Sequence, residues 1–219
     1  MSDRAAAVDR LCAKGVIAIV RTKSSEQLLD VAKALLAGGV DCIEITMTTP
    51  DALKVIARCR QVMGSAALIG VGSVLNADVC RQAIAAGAQY VISPILNLDV
   101  IRAAHEGEAP CLPGAMSPTE ILNATLAGAD LVKVFPAGQF GPSYFRDILA
   151  PMPHLKLTPT GGVDLTTAGE WIAAGAVTLG VGSALVNRKA LAEGNLAEIQ
   201  RLAGEFVRIV AEARAAKVR

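Results

Sequence analysis

Long apolar runs are missing from this chain. None approaches the roughly 18 uninterrupted apolar residues of a membrane-crossing helix, so no membrane partner is expected. Aromatics are scarce, at 3% of 219 residues, and no basic patch interleaves with them. Net charge is +1 and pI is about 7.6, which argues against nucleic acid as a partner. Histidine is limited to His105 and His154, and no CxxC spacing links Cys12, Cys42, Cys59, Cys80 and Cys111. No metal site is expected from that inventory. Scattered thiols in odd number read as reduced side chains of a cytoplasmic protein. Met1-Ser2-Asp3-Arg4 opens a short amphipathic stretch, unlike a signal peptide.

What is abundant is aliphatic. Hydrophobic residues reach 53% against 19% charged, and mean hydropathy is +0.45, which excludes disorder. Ala, Val, Ile and Leu supply the excess, the mixture of buried parallel strands and the helices packed on them. Eight β-branched runs fall at 16–20, 41–46, 67–72, 90–93, 109–112, 131–135, 156–160 and 177–181. Helical periodicity fills 26–37, 50–62, 77–86, 98–105, 118–126, 142–149, 165–173 and 196–217. Gly38-Gly39, Gly87, Gly107, Gly128 and Gly175 each close a helical run just before a strand, where a helix C-cap favours a left-handed residue. Eight strand–helix units without a linker predict one α/β domain over 1–219. The expected form is a (β/α)8 TIM barrel with an extra N-terminal helix; an open doubly wound sheet is the competitor.

In such a barrel chemistry sits at the C-terminal strand ends. Lys133 interrupts the apolar run Leu131-Val132-Lys133-Val134-Phe135. Alternation puts Leu131 and Phe135 on its face and Val132 and Val134 against the helices. A lysine held partly dry inside has a lowered pKa, which a neutral amine nucleophile requires. The blander alternative is an edge lysine reaching water. Lys156, the other strand lysine, lies on the order of 13 Å below the strand ends and reads as structural. Glu44 sits likewise in Cys42-Ile43-Glu44-Ile45-Thr46. An inward carboxylate beside an inward amine supplies a proton shuttle and a nucleophile, or else a buried structural ion pair. Thr160-Gly161-Gly162 and Gly180-Val181-Gly182-Ser183 follow the seventh and eighth strand runs, the usual phosphate seat of these barrels. The second turn is expected to open a helical stretch. Gly70-Val71-Gly72-Ser73 lacks the third glycine and the acidic partner of a dinucleotide site, so NAD binding is rejected there.

Taken in order, "AGGVDCIEITMTTPDAL", "GVGSVLNADVCRQAIAAGAQYVISP", "LPGAMSPTE", "VKVFPAG", "TPTGGV" and "GVGSALV" resemble the 2-keto-3-deoxy-6-phosphogluconate (KDPG) and 4-hydroxy-2-oxoglutarate (KHG) aldolase family, from about Gly15 to Val186. The resemblance implies a cofactor-free Schiff-base aldolase on a (β/α)8 barrel, assembled as a homotrimer. It implies Lys133 as the amine and Glu44 as the proton carrier. Arg21, Ser73 and Thr160 would line the keto-acid end, Pro94 would be a turn residue of the substrate pocket's wall, and Gly161, Gly162, Gly182 and Ser183 would hold the phosphate of a keto-sugar acid. Some members carry arginine where this chain has Thr48, which leaves the aldehyde fragment open. A galactonate-series epimer, a phosphate-barrel isomerase or synthase without an imine, and a non-catalytic phosphate-sugar sensor are the alternatives.

Overall fold

The computed structural model describes residues 3–22 and 25–217. Its elements run, in chain order, α1 (Asp3–Lys14), β1 (Val16–Val20), α2 (Leu28–Ala37), β2 (Cys42–Thr46), α3 (Ala52–Met63), β3 (Leu68–Gly72), α4 (Ala77–Ala85), β4 (Val91–Ile92), α5 (Leu98–Glu106), β5 (Cys111–Leu112), β6 (Gly114–Ala115) and α6 (Pro118–Leu126). There follow β7 (Val132–Val134), a 3-10 turn (Ala137–Gln139), α7 (Ser143–Leu149), β8 (Leu157–Pro159), α8 (Ala168–Ala173), β9 (Leu179–Val181), α9 (Arg188–Glu193) and α10 (Leu196–Lys217). None of the helices is long and apolar enough to cross a membrane, among the described residues.

Every strand pair is parallel. Six strands run in the order β5-β4-β3-β2-β1-β9, and three in the order β6-β7-β8. The architecture is thus α/β with a curled parallel sheet. The fifth strand run, expected as one piece over 109–112, is longer and broken. Pro113 has no N–H to donate, so the ladder changes partner there: β5 pairs with β4 and β6 with β7. A lone parallel bridge, Thr160 to Gly180, links the far edges of the two sheets.

Alternation sorts the side chains as the sequence predicts. Val132, Val134, Ile43 and Ile45 join the large aliphatic cluster beneath the helices. Leu131, Cys42, Ile17, Leu68, Tyr90 and Leu112 form a second cluster on the other face of the sheet. Ala7 and Leu11 of α1 belong to that second cluster, so the N-terminal helix plugs the curl at the end where the strands begin.

The helix ends share one bond pattern. Val40, Ala88, Ala109, Ala129 and Ala176 each donate a backbone N–H to the carbonyl five residues back. The left-handed residue just before is glycine in four of the five, at Gly39, Gly87, Gly128 and Gly175. Gly107 departs from expectation: its φ is −93°, and Glu108 takes the left-handed position at φ 55°. The helix there runs one residue further than the periodicity indicated, so the cap falls on the next residue.

Candidate active site

Lys133 and Glu44 both face the interior of the curl. Each is central in its strand and each has neighbours that make room. Gly114 and Thr158 lie beside Lys133 in the ladders. Glu44 lies beside Ile19 and Gly70. The carboxylate leans towards the strand ends over Gly72, where a β-carbon would sit 1.6 Å from Glu44 Oε1. Glycine at position 72 is therefore a spatial requirement of the carboxylate.

Both charges are almost dry. Glu44 exposes 1% of its surface and Lys133 7%. Burial pushes the Glu44 carboxyl up, and the positive charges of Lys133 and Arg21 pull it back only in part. Burial also pulls the Lys133 amine down, against the opposing field of Glu44, and Arg21 lowers it further. Among the described residues the two make no ion pair, and Glu44 Oε2 has no hydrogen-bond partner. Tyr90 and Thr158, also buried, keep hydroxyls without partners. A buried polar atom left unsatisfied costs stability, and no protein partner among the described residues relieves the acid or the amine of that cost.

Phe135 covers the amine. Its ring centroid is 5.0 Å from Lys133 Nζ, and a cis peptide joins it to Pro136. The same ring lines a cavity of about 300 Å³ above, bounded by Arg21, Thr160, Gly161, Gly162, Gly182 and Ser183. Six of the ten residues singled out in the sequence thus meet around one space. Gly161 and Gly162 have φ of 82° and 78°, a conformation side chains resist. Their turn is tied to the 3-10 turn by Ala137 N–H to Thr160 O at 2.9 Å and Gly138 N–H to Gly161 O at 2.8 Å. A β-carbon on Gly162 would sit 2.6 Å from Gly138 Cα. Among the described residues the N–H groups of Gly162, Ser183 and Ala184 donate to no protein acceptor. Such a nest suits an anion. The second turn does not open a helix, however. Residues 183–185 form a single turn, closed by the Leu185 and Val186 N–H groups on Gly182 O, and α9 begins only at Arg188.

Ser73 and Pro94 lie off this cavity. Ser73 ends β3 in the left-handed region at φ 62°, a strained position for serine. Pro94 packs its carbonyl over Gly114, the ladder neighbour of Lys133, where a β-carbon would be 2.2 Å away. Lys156 sits at the opposite end, beside Arg4, Asp130 and His154, as its strand position predicted.

Sequence reading missed three features. Thr46, Thr48 and Thr49 form a hydroxyl cluster, with Thr46 Oγ1 2.9 Å from Thr48 Oγ1. Strand parity puts Phe135 on the lysine's face, but nothing in the sequence signals that its ring covers the amine. Arg188 gave no signal, because its short helix lacks a periodic pattern. It lines the 300 Å³ cavity and a neighbouring one of about 890 Å³ bordered by Arg21, Gln27 and Thr48.

A sequence profile of the KDPG and KHG aldolases matches residues 8–202. The chain belongs to this family. Among curated members, the 2-dehydro-3-deoxy-phosphogluconate aldolase of Pseudomonas aeruginosa is 31% identical over 98% of both chains. The 2-dehydro-3-deoxy-6-phosphogalactonate aldolase of Escherichia coli is 31% identical over 78% of this chain and 83% of its own. A solved KDPG aldolase of Legionella pneumophila, with pyruvate captured as a covalent carbinolamine, superposes with a TM-score of 0.84 at 30% identity. It covers 90% of this chain and 96% of its own. These aldolases are carbon–carbon lyases. In this member of the family the buried amine lies under Phe135, whose ring also lines the cavity bounded by the glycine turns.

Proposed function

We propose that this chain is a class I aldolase that cleaves KDPG to pyruvate and glyceraldehyde 3-phosphate. One observation carries the reading: a lysine and a glutamate, each midway along its parallel strand, buried within reach of each other's field without pairing. Lys133, as free amine, attacks the C2 carbonyl of the keto acid. The carbinolamine loses water, whose departing hydroxyl takes a proton from Glu44, and leaves a protonated imine on Nζ. Glu44 carboxylate then accepts the C4 hydroxyl proton. The C3–C4 bond breaks, its electron pair runs into the imine, and an enamine and an aldehyde result. Protonation of C3 and hydrolysis release pyruvate and restore Lys133. The anion nest holds the phosphate of the leaving aldehyde.

The same steps convert 4-hydroxy-2-oxoglutarate to pyruvate and glyoxylate. Relatives of both the gluconate and galactonate series support either epimer, and pyruvate release on a panel of both phosphorylated acids separates them. The residue roles assigned above, with Arg21, Ser73 and Thr160 at the keto-acid end and Pro94 in the pocket wall, are part of this proposal. So are one domain, a complete (β/α)8 barrel, a homotrimer and a cytoplasmic location. Barrel closure is supported by the Thr160–Gly180 bridge and by β6 continuing from β5.

Borohydride reduction in the presence of pyruvate tests the mechanism. A stable pyruvyl adduct mapped to Lys133 is expected. No adduct at saturating pyruvate would sink the imine route and leave an isomerase or synthase with Glu44 as plain base.

A further inference from the structure

The two cavities at the strand ends share Arg21, Arg188 and Leu191. Both guanidinium-bearing residues therefore stand on the border between the glycine-lined cavity and the larger one. Among the described residues no aspartate or glutamate lines either space. Several arginines elsewhere are tied down: Arg4 to Asp130, Arg10 to Asp41, Arg81 to Asp78, Arg201 to Glu198, and Arg214 to backbone carbonyls. Arg188 has no hydrogen bond or ion pair among the described residues.

Its backbone, by contrast, is fixed. Asn187 Oδ1 accepts the Ala190 N–H at 2.7 Å and caps α9, Ala190 is buried, and Leu191 lines both cavities. A free guanidinium on an anchored turn is placed at the mouth of the anion nest. Arg21 serves the inner end as well, since its field reaches Glu44 and Lys133. Among the described residues that line the two cavities, Arg188 is the cation left for the distal end alone.

We propose that Arg188 sets the preference of this site for substrates whose far end is a phosphate dianion. The inference rests on the aldolase reading above. Backbone N–H groups of the glycine turns accommodate a hydroxyl, a carboxylate or a phosphate alike. A guanidinium adds a full charge and two parallel donors, which favour the dianion over a neutral hydroxyl terminus. Its exposure keeps the gain at the low end for a charge-assisted hydrogen bond, about tenfold in affinity.

The test compares kcat/KM for the phosphorylated keto-deoxy acid with that for the same acid lacking its phosphate, in wild type, Arg188→Ala and Arg188→Lys. Arg188→Ala is expected to lower the ratio about tenfold, through KM of the phosphorylated acid. Arg188→Lys should recover part of it. Inorganic phosphate, titrated calorimetrically without substrate, should bind about tenfold more weakly to Arg188→Ala. A ratio within twofold of wild type, or equal losses on both acids, overturns the assignment. Pyruvate–borohydride labelling of the wild type runs alongside. With Lys133 labelled and the ratio unchanged, only the role of Arg188 falls. With Lys133 unlabelled, the aldolase reading falls and takes the selectivity claim with it.

Discussion

The two ends of the curled sheet both bury charge, and they treat it differently. Where the strands begin, Asp41 is met by Arg10 at 2.8 Å and Lys14 at 3.8 Å. Asp130 nearby is held by Arg4 at 2.9 Å, by His105 Nε2 at 3.1 Å and by the Cys111 N–H at 2.9 Å. Helix α1 carries both arginines and seals the space with Ala7 and Leu11. Towards the other end, midway along β2 and β7, Glu44 and Lys133 are buried without an ion pair among the described residues, with Lys133 under Phe135 and the cavity that its ring lines. Paired charges under an apolar plug hold the fold together. Unpaired buried charges carry a standing cost, which the proposed chemistry would account for.

Lys133→Ala attacks the active end most directly. Loss of aldol cleavage by many orders of magnitude is expected in a pyruvate-release assay, with no borohydride adduct. Glu44→Gln comes next. Removing the proton carrier should lower kcat by roughly 10²–10⁴ while pyruvate labelling of Lys133 persists. Near-wild-type turnover would assign the proton transfers to another group.

At the paired end the expected effect is on stability. Asp130→Asn leaves Arg4 and His105 without their anion and should cost about 2 kcal/mol in denaturant unfolding. Glu44→Gln should act with the opposite sign. The carboxyl's folded-state pKa lies above its ordinary 4.5, so the native state holds that proton more tightly than the unfolded chain. The stability this contributes to wild type is fully present below pH 4.5 and is lost as pH rises through the raised value. At neutral pH Glu44→Gln should therefore be more stable by about 1 kcal/mol, or about 2–4 °C in Tm. The advantage should vanish in acid. A Glu44→Gln protein less stable than wild type at pH 7 would erase the contrast between the ends.

The smallest effect concerns the pH profile. With the Glu44 carboxyl raised and the Lys133 amine lowered, both limbs of kcat/KM should lie closer to neutrality than free glutamate and lysine allow. Limbs at the ordinary values would mean that the two groups are solvated in the working enzyme.

Much of this was legible because strands alternate with period two. One lysine and one glutamate in otherwise apolar runs had to face away from the helices, and Leu131 and Cys42 in the interior cluster bear that out. The break at Pro113 was less legible. A proline's missing N–H is visible, but which strand each half would pair with is decided by neighbours distant in sequence. Arg188 lay beyond reach for a similar reason. Nothing local distinguishes it from Arg81 or Arg201, which end in surface ion pairs.

By itself, then, the order of residues determined the alternation of strands and helices, the inward set on each strand and the glycine turns. Those follow from steric and hydrophobic preferences acting over a few positions. Only the tertiary structure decided which charges find partners. An aspartate, a glutamate and an arginine each carry the same chemistry wherever they occur. Whether one is satisfied depends on what the fold brings within a few ångströms of it.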